Sequence, residues 1–153
     1  MESELVLRVG LDADGVIFDG AEMKSRMTYE MFGLYIPPEN YCKRRVLGSG
    51  LVSCEQYSAM KTLAYNTDVA LTFKFVADAE EVIRQMIIQN WFLPVLTNRK
   101  ESAANYIRQI FVHHKLDLQI FSNGDTQLCE NGQYFDNSKL NLITDFGGAS
   151  RLC

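Results

Sequence analysis

Two aspartates one residue apart, Asp12-Ala13-Asp14, stand directly after the apolar run Leu5-Val-Leu-Arg-Val-Gly-Leu11 and just before Gly15. Carboxylates at this spacing offer a nucleophile for covalent catalysis, a group that gives and takes a proton and hard oxygen donors for a cation. Gly15 allows the chain to turn off the strand while backbone N–H groups stay available to an anion. Asp and Gly are also common turn residues, so a plain strand-to-loop turn is the other reading of the same positions. A second polar pair, Thr97-Asn98, follows the apolar run Trp91-Phe-Leu-Pro-Val-Leu96. It either faces an anion at a helix start or only caps that helix, because Glu101 completes a capping-box spacing with Asn98.

The elements that must position these residues follow from periodicity. The run ending at Leu11 is rich in branched residues, as expected of a strand buried on both faces of a parallel sheet. Asp19 and Glu22 have capping-box spacing, and Met23, Met27 and Met31 recur every four residues, which predicts a helix over 20–33 with the methionines in the core. Pro37-Pro38 closes it. A second helix is predicted over Ser53–Tyr65, with Tyr57, Met60, Leu63 and Ala64 on one face, after a Gly48-Ser-Gly50 loop. From Ala79, the set Ala79, Val82, Ile83, Met86 and Ile87 marks an amphipathic helix. The run 91–96 is the next strand, although Pro94 removes one ladder donor. A helix with Ala103, Ile107, Ile110 and Phe111 inward follows, and then a third strand, Leu118–Phe121, before Ser122-Asn-Gly-Asp125. Strands alternating with helices in this order predict an α/β fold, a Rossmann-like three-layer sandwich with a mostly parallel sheet. Residues 1–19 and 77–153 form its core and 20–76 a helical insertion. Ligands of open parallel sheets gather beyond the carboxyl ends of the strands, where Asp12, Thr97 and Ser122 all fall.

Asp12-Ala-Asp14-Gly15-Val16 after an apolar strand and Leu96-Thr97-Asn98 after another resemble the first and second motifs of the haloacid-dehalogenase-like (HAD-like) hydrolases, phosphatase type. The resemblance runs in order from about Leu7 to Ile143. It implies that Asp12 attacks phosphorus to form an aspartyl-phosphate and that Asp14 protonates the leaving oxygen and later deprotonates water. Two carboxylates alone repel a phosphate dianion, so a hard cation is implied, Mg²⁺, held by the Asp12 side chain and the Asp14 backbone carbonyl. Thr97 would donate its hydroxyl to the phosphoryl group, with N–H support from Asn98. The third motif is a lysine, for which Lys139 stands in the expected chain order. The fourth supplies acidic metal ligands, and here the chain departs from the pattern. Leu140-Asn-Leu-Ile-Thr-Asp145 is either a compressed strand ending in one ligand, Asp145, or a short helix capped by Ser138 and stopped by Gly147-Gly148. In the second case the ligand is Asp125 or another group, or metal binding is weakened. The insertion occupies the position of the helical cap that many such phosphatases close over substrate. Two functions follow: a phosphomonoester hydrolase acting on a small phosphorylated metabolite, or a HAD-like phosphate-binding or protein-interaction module with weak or no turnover.

The remaining features limit the alternatives. A chain of 153 residues, 47% hydrophobic and 22% charged, suits one compact domain with a small insertion. A formal charge of −4 gives no basic footprint for nucleic acid. No apolar run is long enough for a membrane span, and no leader pattern precedes the first strand. Cys42, Cys54, Cys129 and Cys153 are scattered without a Cys-x-x-Cys pair, which predicts neither zinc nor a disulfide framework and suggests reduced, cytoplasmic thiols. His113-His114 at a helix end complements its dipole better than it binds metal. Lys43, Arg44 and Arg45 are either a solvated face or a contact for a substrate anion. Oligomeric state is not legible.

Overall fold

The computed structural model of the chain describes residues 6–122. β1 is Leu11–Asp12, α1 Gly20–Phe32, α2 Lys43–Gly48, α3 Cys54–Asn66, α4 Ala79–Ile88, β2 Val95–Thr97, α5 Glu101–His113 and β3 Ile120–Ser122. The three strands form one parallel sheet in the order β1-β2-β3. This is the Rossmann-like α/β arrangement expected from the alternation of strands and helices.

The ladder is longer than its regular strands. Phe92 N–H donates to the Leu7 carbonyl, and the Val9 and Leu11 N–H groups donate to the carbonyls of Phe92 and Pro94 at 2.9 and 2.8 Å. Pro94 has no N–H to return, and regular pairing of β2 accordingly begins only at Val95. Val95 aligns with Leu11 and Ile120, Leu96 with Asp12 and Phe121, and Thr97 with Ser122.

After Asp12 the chain makes a single tight turn. Ile17 and Phe18 N–H groups both donate to the Ala13 carbonyl, and Gly15 N–H donates to Phe18 at 2.9 Å. Gly15 adopts φ +86°, a left-handed conformation that glycine takes without a Cβ penalty. Residues 17–19 then pair antiparallel with 74–76, through Asp19 N–H to Lys74 and Val76 N–H to Ile17. The helical insertion thus leaves and rejoins the core through one narrow neck that starts three residues after Asp14.

α1 is capped as its sequence predicts, the Asp19 carboxylate accepting from Glu22 N–H at 2.9 Å, and it ends on Gly33 at φ +68°. Met23 and Met27 are buried, while Met31 packs partly against the core. α3 carries a complete Ser53–Gln56 capping box. Insertion and core share one apolar cluster, centred on Phe18, whose ring lies 6.0, 5.2 and 5.7 Å from those of Phe73, Phe75 and Phe111. Burying a side chain of this size stabilises by about 1.5–3 kcal/mol, so the neck is packed rather than tethered.

Two expectations are corrected. α5 does not start at Asn98: its N-cap is Lys100, with no side-chain cap bond, because Arg99 is drawn into a buried ion pair and delays the first helical turn. α2 occupies a segment read only as a basic cluster and a loop, with Gly48 as its last residue. Two 3₁₀ turns, Pro38–Asn40 and Asp68–Thr72, are also present. Cys54 is free and exposed.

Candidate active site

Asp12 ends β1, and the register sets it beside Leu96, one step before Thr97 at the end of β2. The two motif residues therefore meet at adjacent strand ends, with Ser122 of β3 in line beyond Thr97. Thr97 is buried and its Oγ1 accepts from Arg99 N–H at 3.1 Å, while Asn98 is exposed. The Thr97 hydroxyl thus shapes the turn at the carboxyl end of the sheet, and Asn98 neither caps α5 nor is buried with it. Ser122 Oγ donates to the Arg99 carbonyl, tying the same turn to β3.

The dominant interaction of the site has no signal in the sequence. Arg99 grips Asp14 as a fork, Nε to Oδ2 at 3.1 Å and Nη2 to Oδ1 at 2.5 Å. Its guanidinium is sandwiched between the rings of Tyr65 and Phe73, whose centroids lie 4.4 and 4.6 Å from Cζ. The Arg99 side chain is only 5% exposed and that of Asp14 34%. Planar stacking together with bidentate pairing is a task that arginine performs and lysine does not. Nη1 remains buried without a hydrogen-bond partner among the described residues. Tyr65 belongs to α3 and Phe73 to the returning arm of the insertion, so Arg99 joins the insertion to the Asp12–Asp14 loop. Burial, followed by the charge of Asp14, pushes the Tyr65 hydroxyl far above its ordinary range, and it is neutral at any working pH. Gly20 lies beside that hydroxyl, and a Cβ there would meet it at 3.5 Å, an ordinary van der Waals contact.

Asp14 and Arg99 open on a cleft of about 770 Å³ walled by α1, α2 and α3 on one side and by the β2–α5 turn on the other. Lys24, Lys43, Lys61 and Lys100 also line it. Burial pulls the Lys24 ammonium below its usual range; the carboxylate of Asp14 opposes that shift, and Lys61, Arg99 and Lys43 reinforce it. Of the basic cluster on α2, Lys43 alone lines the cleft, whereas Arg45 bonds Asn40 at the surface. His114 meets Glu80 at 3.1 Å across to α4, away from the strand ends.

Among the described residues no group of three or more His, Cys, Asp or Glu side chains could hold a metal ion. One strand-end carboxylate and a neighbouring backbone carbonyl still suit Mg²⁺, which keeps several waters and takes substrate oxygens as ligands. Lys139, Asp145 and Asp125 lie outside the described residues.

No protein-family model matches the chain, and no curated protein matches it. Solved structures do. A hydrolase from Streptococcus pneumoniae TIGR4 superposes with a TM-score of 0.56 at 9% identity, over 93% of this chain and 78% of that one. A HAD-superfamily hydrolase, subfamily IA, variant 1, from Geobacter sulfurreducens PCA gives 0.52 at 18% identity, over 93% and 73%. A predicted phosphoglycolate phosphatase from Haemophilus somnus 129pt gives 0.51 at 12% identity, over 96% and 74%. With a parallel sheet, a helical insertion after the first strand and these neighbours, the chain has the HAD-like fold.

Proposed function

We propose that the chain is a Mg²⁺-dependent phosphomonoester hydrolase acting on a small phosphorylated metabolite, with residues 20–76 as its cap. The observation that carries this reading is the register that pairs Asp12 with Leu96, one residue before Thr97, at adjacent strand ends, with Asp14 on a cleft lined by lysines. Asp12 attacks phosphorus, the bond to the ester oxygen breaks, and a proton from Asp14 goes to that oxygen. Water then attacks the aspartyl-phosphate, Asp14 takes its proton, and phosphate leaves with Asp12 restored. The Asp12 carboxylate and the Asp14 backbone carbonyl would hold Mg²⁺, which offsets negative charge between nucleophile and phosphoryl group. The Thr97 hydroxyl and Asn98 N–H, with Lys139, would stabilise the phosphoryl oxygens, and Asp145 would complete the metal shell.

In the structure both Asp14 oxygens are engaged by Arg99, so proton transfer requires the fork to open. An anionic substrate offers Arg99 a replacement partner, which couples substrate arrival to release of Asp14. The same fork favours a second reading, a phosphate-binding module without turnover, if the pair never opens. Hydrolysis of p-nitrophenyl phosphate by the full chain separates the two. Turnover that needs Mg²⁺ and is lost in Asp12→Asn supports the hydrolase. Phosphate binding without turnover supports the module, and turnover that survives both EDTA and the substitution overturns the Asp12 mechanism.

A further inference from the structure

One phosphoryl group does not account for the charge in the cleft. Among the described residues, four lysines beyond Arg99 line it, and Asp14 is the one acidic side chain in that lining. Lys24, on the inner side of α1, is half-buried and has no ion-pair or hydrogen-bond partner among the described residues. Arg99, in the same lining, holds a buried Nη1 that has no hydrogen-bond partner among the described residues. A half-buried cation without a partner is stabilised when an anion joins it. Lys43 and Lys61 stand over the rings of Tyr57 and Tyr65, at 5.8 and 5.7 Å from the centroids, within the range of a cation–π contact. Those contacts hold two long side chains along the cleft wall.

We propose, resting on the phosphatase reading, that the cleft binds a second anionic group of the substrate, a carboxylate or a second phosphate, at Lys24 with Lys43 and Lys61 beside it. The preferred substrates are then short molecules with anions at both ends, phosphorylated acids or bisphosphates. The phosphoryl end lies toward Asp12 and the other end against α1 and α3. Esters with an uncharged tail leave Lys24 unpaired and bind less well.

Three probes test this by calorimetry on the full chain with Mg²⁺: methylphosphonate, phosphonoacetate and methylenediphosphonate. A charge-assisted contact adds about tenfold or more in affinity. At least one doubly anionic probe is therefore expected to bind about tenfold more tightly than methylphosphonate. A preference for phosphonoacetate identifies the second group as a carboxylate, and one for methylenediphosphonate as a phosphate. Lys24→Met should remove the advantage and Lys24→Arg should restore most of it, with circular dichroism confirming that both fold. Equal affinity for all three probes, or an advantage that survives Lys24→Met, overturns the subsite. Hydrolysis of phosphoglycolate and ethyl phosphate, measured in parallel, keeps the two claims apart. Turnover of both at equal kcat/KM refutes the subsite alone. A Lys24-dependent preference among the probes with no hydrolysis of either ester refutes the phosphatase reading and leaves the subsite standing.

Discussion

Removing the Asp14 carboxylate should cost more stability than removing the Arg99 guanidinium. In Asp14→Ala, a side chain only 5% exposed keeps its charge between the rings of Tyr65 and Phe73. Nε and Nη2 then join Nη1 as donors without a partner. Breaking a buried pair from one side costs about 3–5 kcal/mol. Asp14 is 34% exposed, so water screens part of the interaction, and we expect about 2–3 kcal/mol. Arg99→Met instead fills the slot between the rings with an apolar chain and leaves Asp14 able to rehydrate. Its loss should be about 1–2 kcal/mol, mainly from the stacking contacts. For a chain of this size the first change lowers Tm by roughly 4–10 °C. Urea unfolding followed by far-UV circular dichroism, with unchanged slope, gives both values, and the double variant gives the coupling. If Asp14→Ala is neutral or stabilising, as when an active-site carboxylate is a liability, or if Arg99→Met costs more, the fork is not the resting arrangement.

Phe18→Ala removes the ring on which Phe73, Phe75 and Phe111 converge and should cost about 3–5 kcal/mol by urea unfolding. Gly15→Ala places a Cβ in open space but at φ +86°, so it should lose about 1 kcal/mol and lower kcat/KM through a displaced Asp14. Burial, followed by the charge of Tyr41, pushes the Tyr57 hydroxyl up to about 12 from an ordinary value of 10. A raised folded value means that this stabilisation is complete below pH 10 and is lost as pH rises toward 12. The urea midpoint should therefore fall between pH 9.5 and 11.5 in roughly that window, and Tyr57→Phe should make the fall shallower; an identical fall in the variant would remove Tyr57 as a cause.

The parts of the fold legible in the sequence are those set by short-range rules. The four-residue spacing of Met23 and Met27, the amphipathic pattern from Ala79 and the Ser53 cap each act within a turn or two, and α1, α3 and α4 lie where these signals put them. Six-residue α2 leaves too little periodicity to read. The Asn98–Glu101 spacing was a correct local signal overruled from a distance, because Arg99 is fixed by Asp14, 85 positions away, and pulls the helix start to Lys100. The strand-end placement of Asp12 and Thr97 followed from the apolar runs. The Arg99 fork and the cleft position of Lys24 did not, because both depend on how the insertion folds back over the β2–α5 turn.

The most direct test of the central claim is to identify the residue phosphorylated during turnover. The full chain is mixed with p-nitrophenyl phosphate and Mg²⁺, quenched in acid within one turnover, digested and mapped by mass spectrometry. The expected result is a phosphoryl group on Asp12, absent without Mg²⁺ and absent in Asp12→Asn. A phosphoryl group on any other residue, or full turnover in Asp12→Asn, contradicts it.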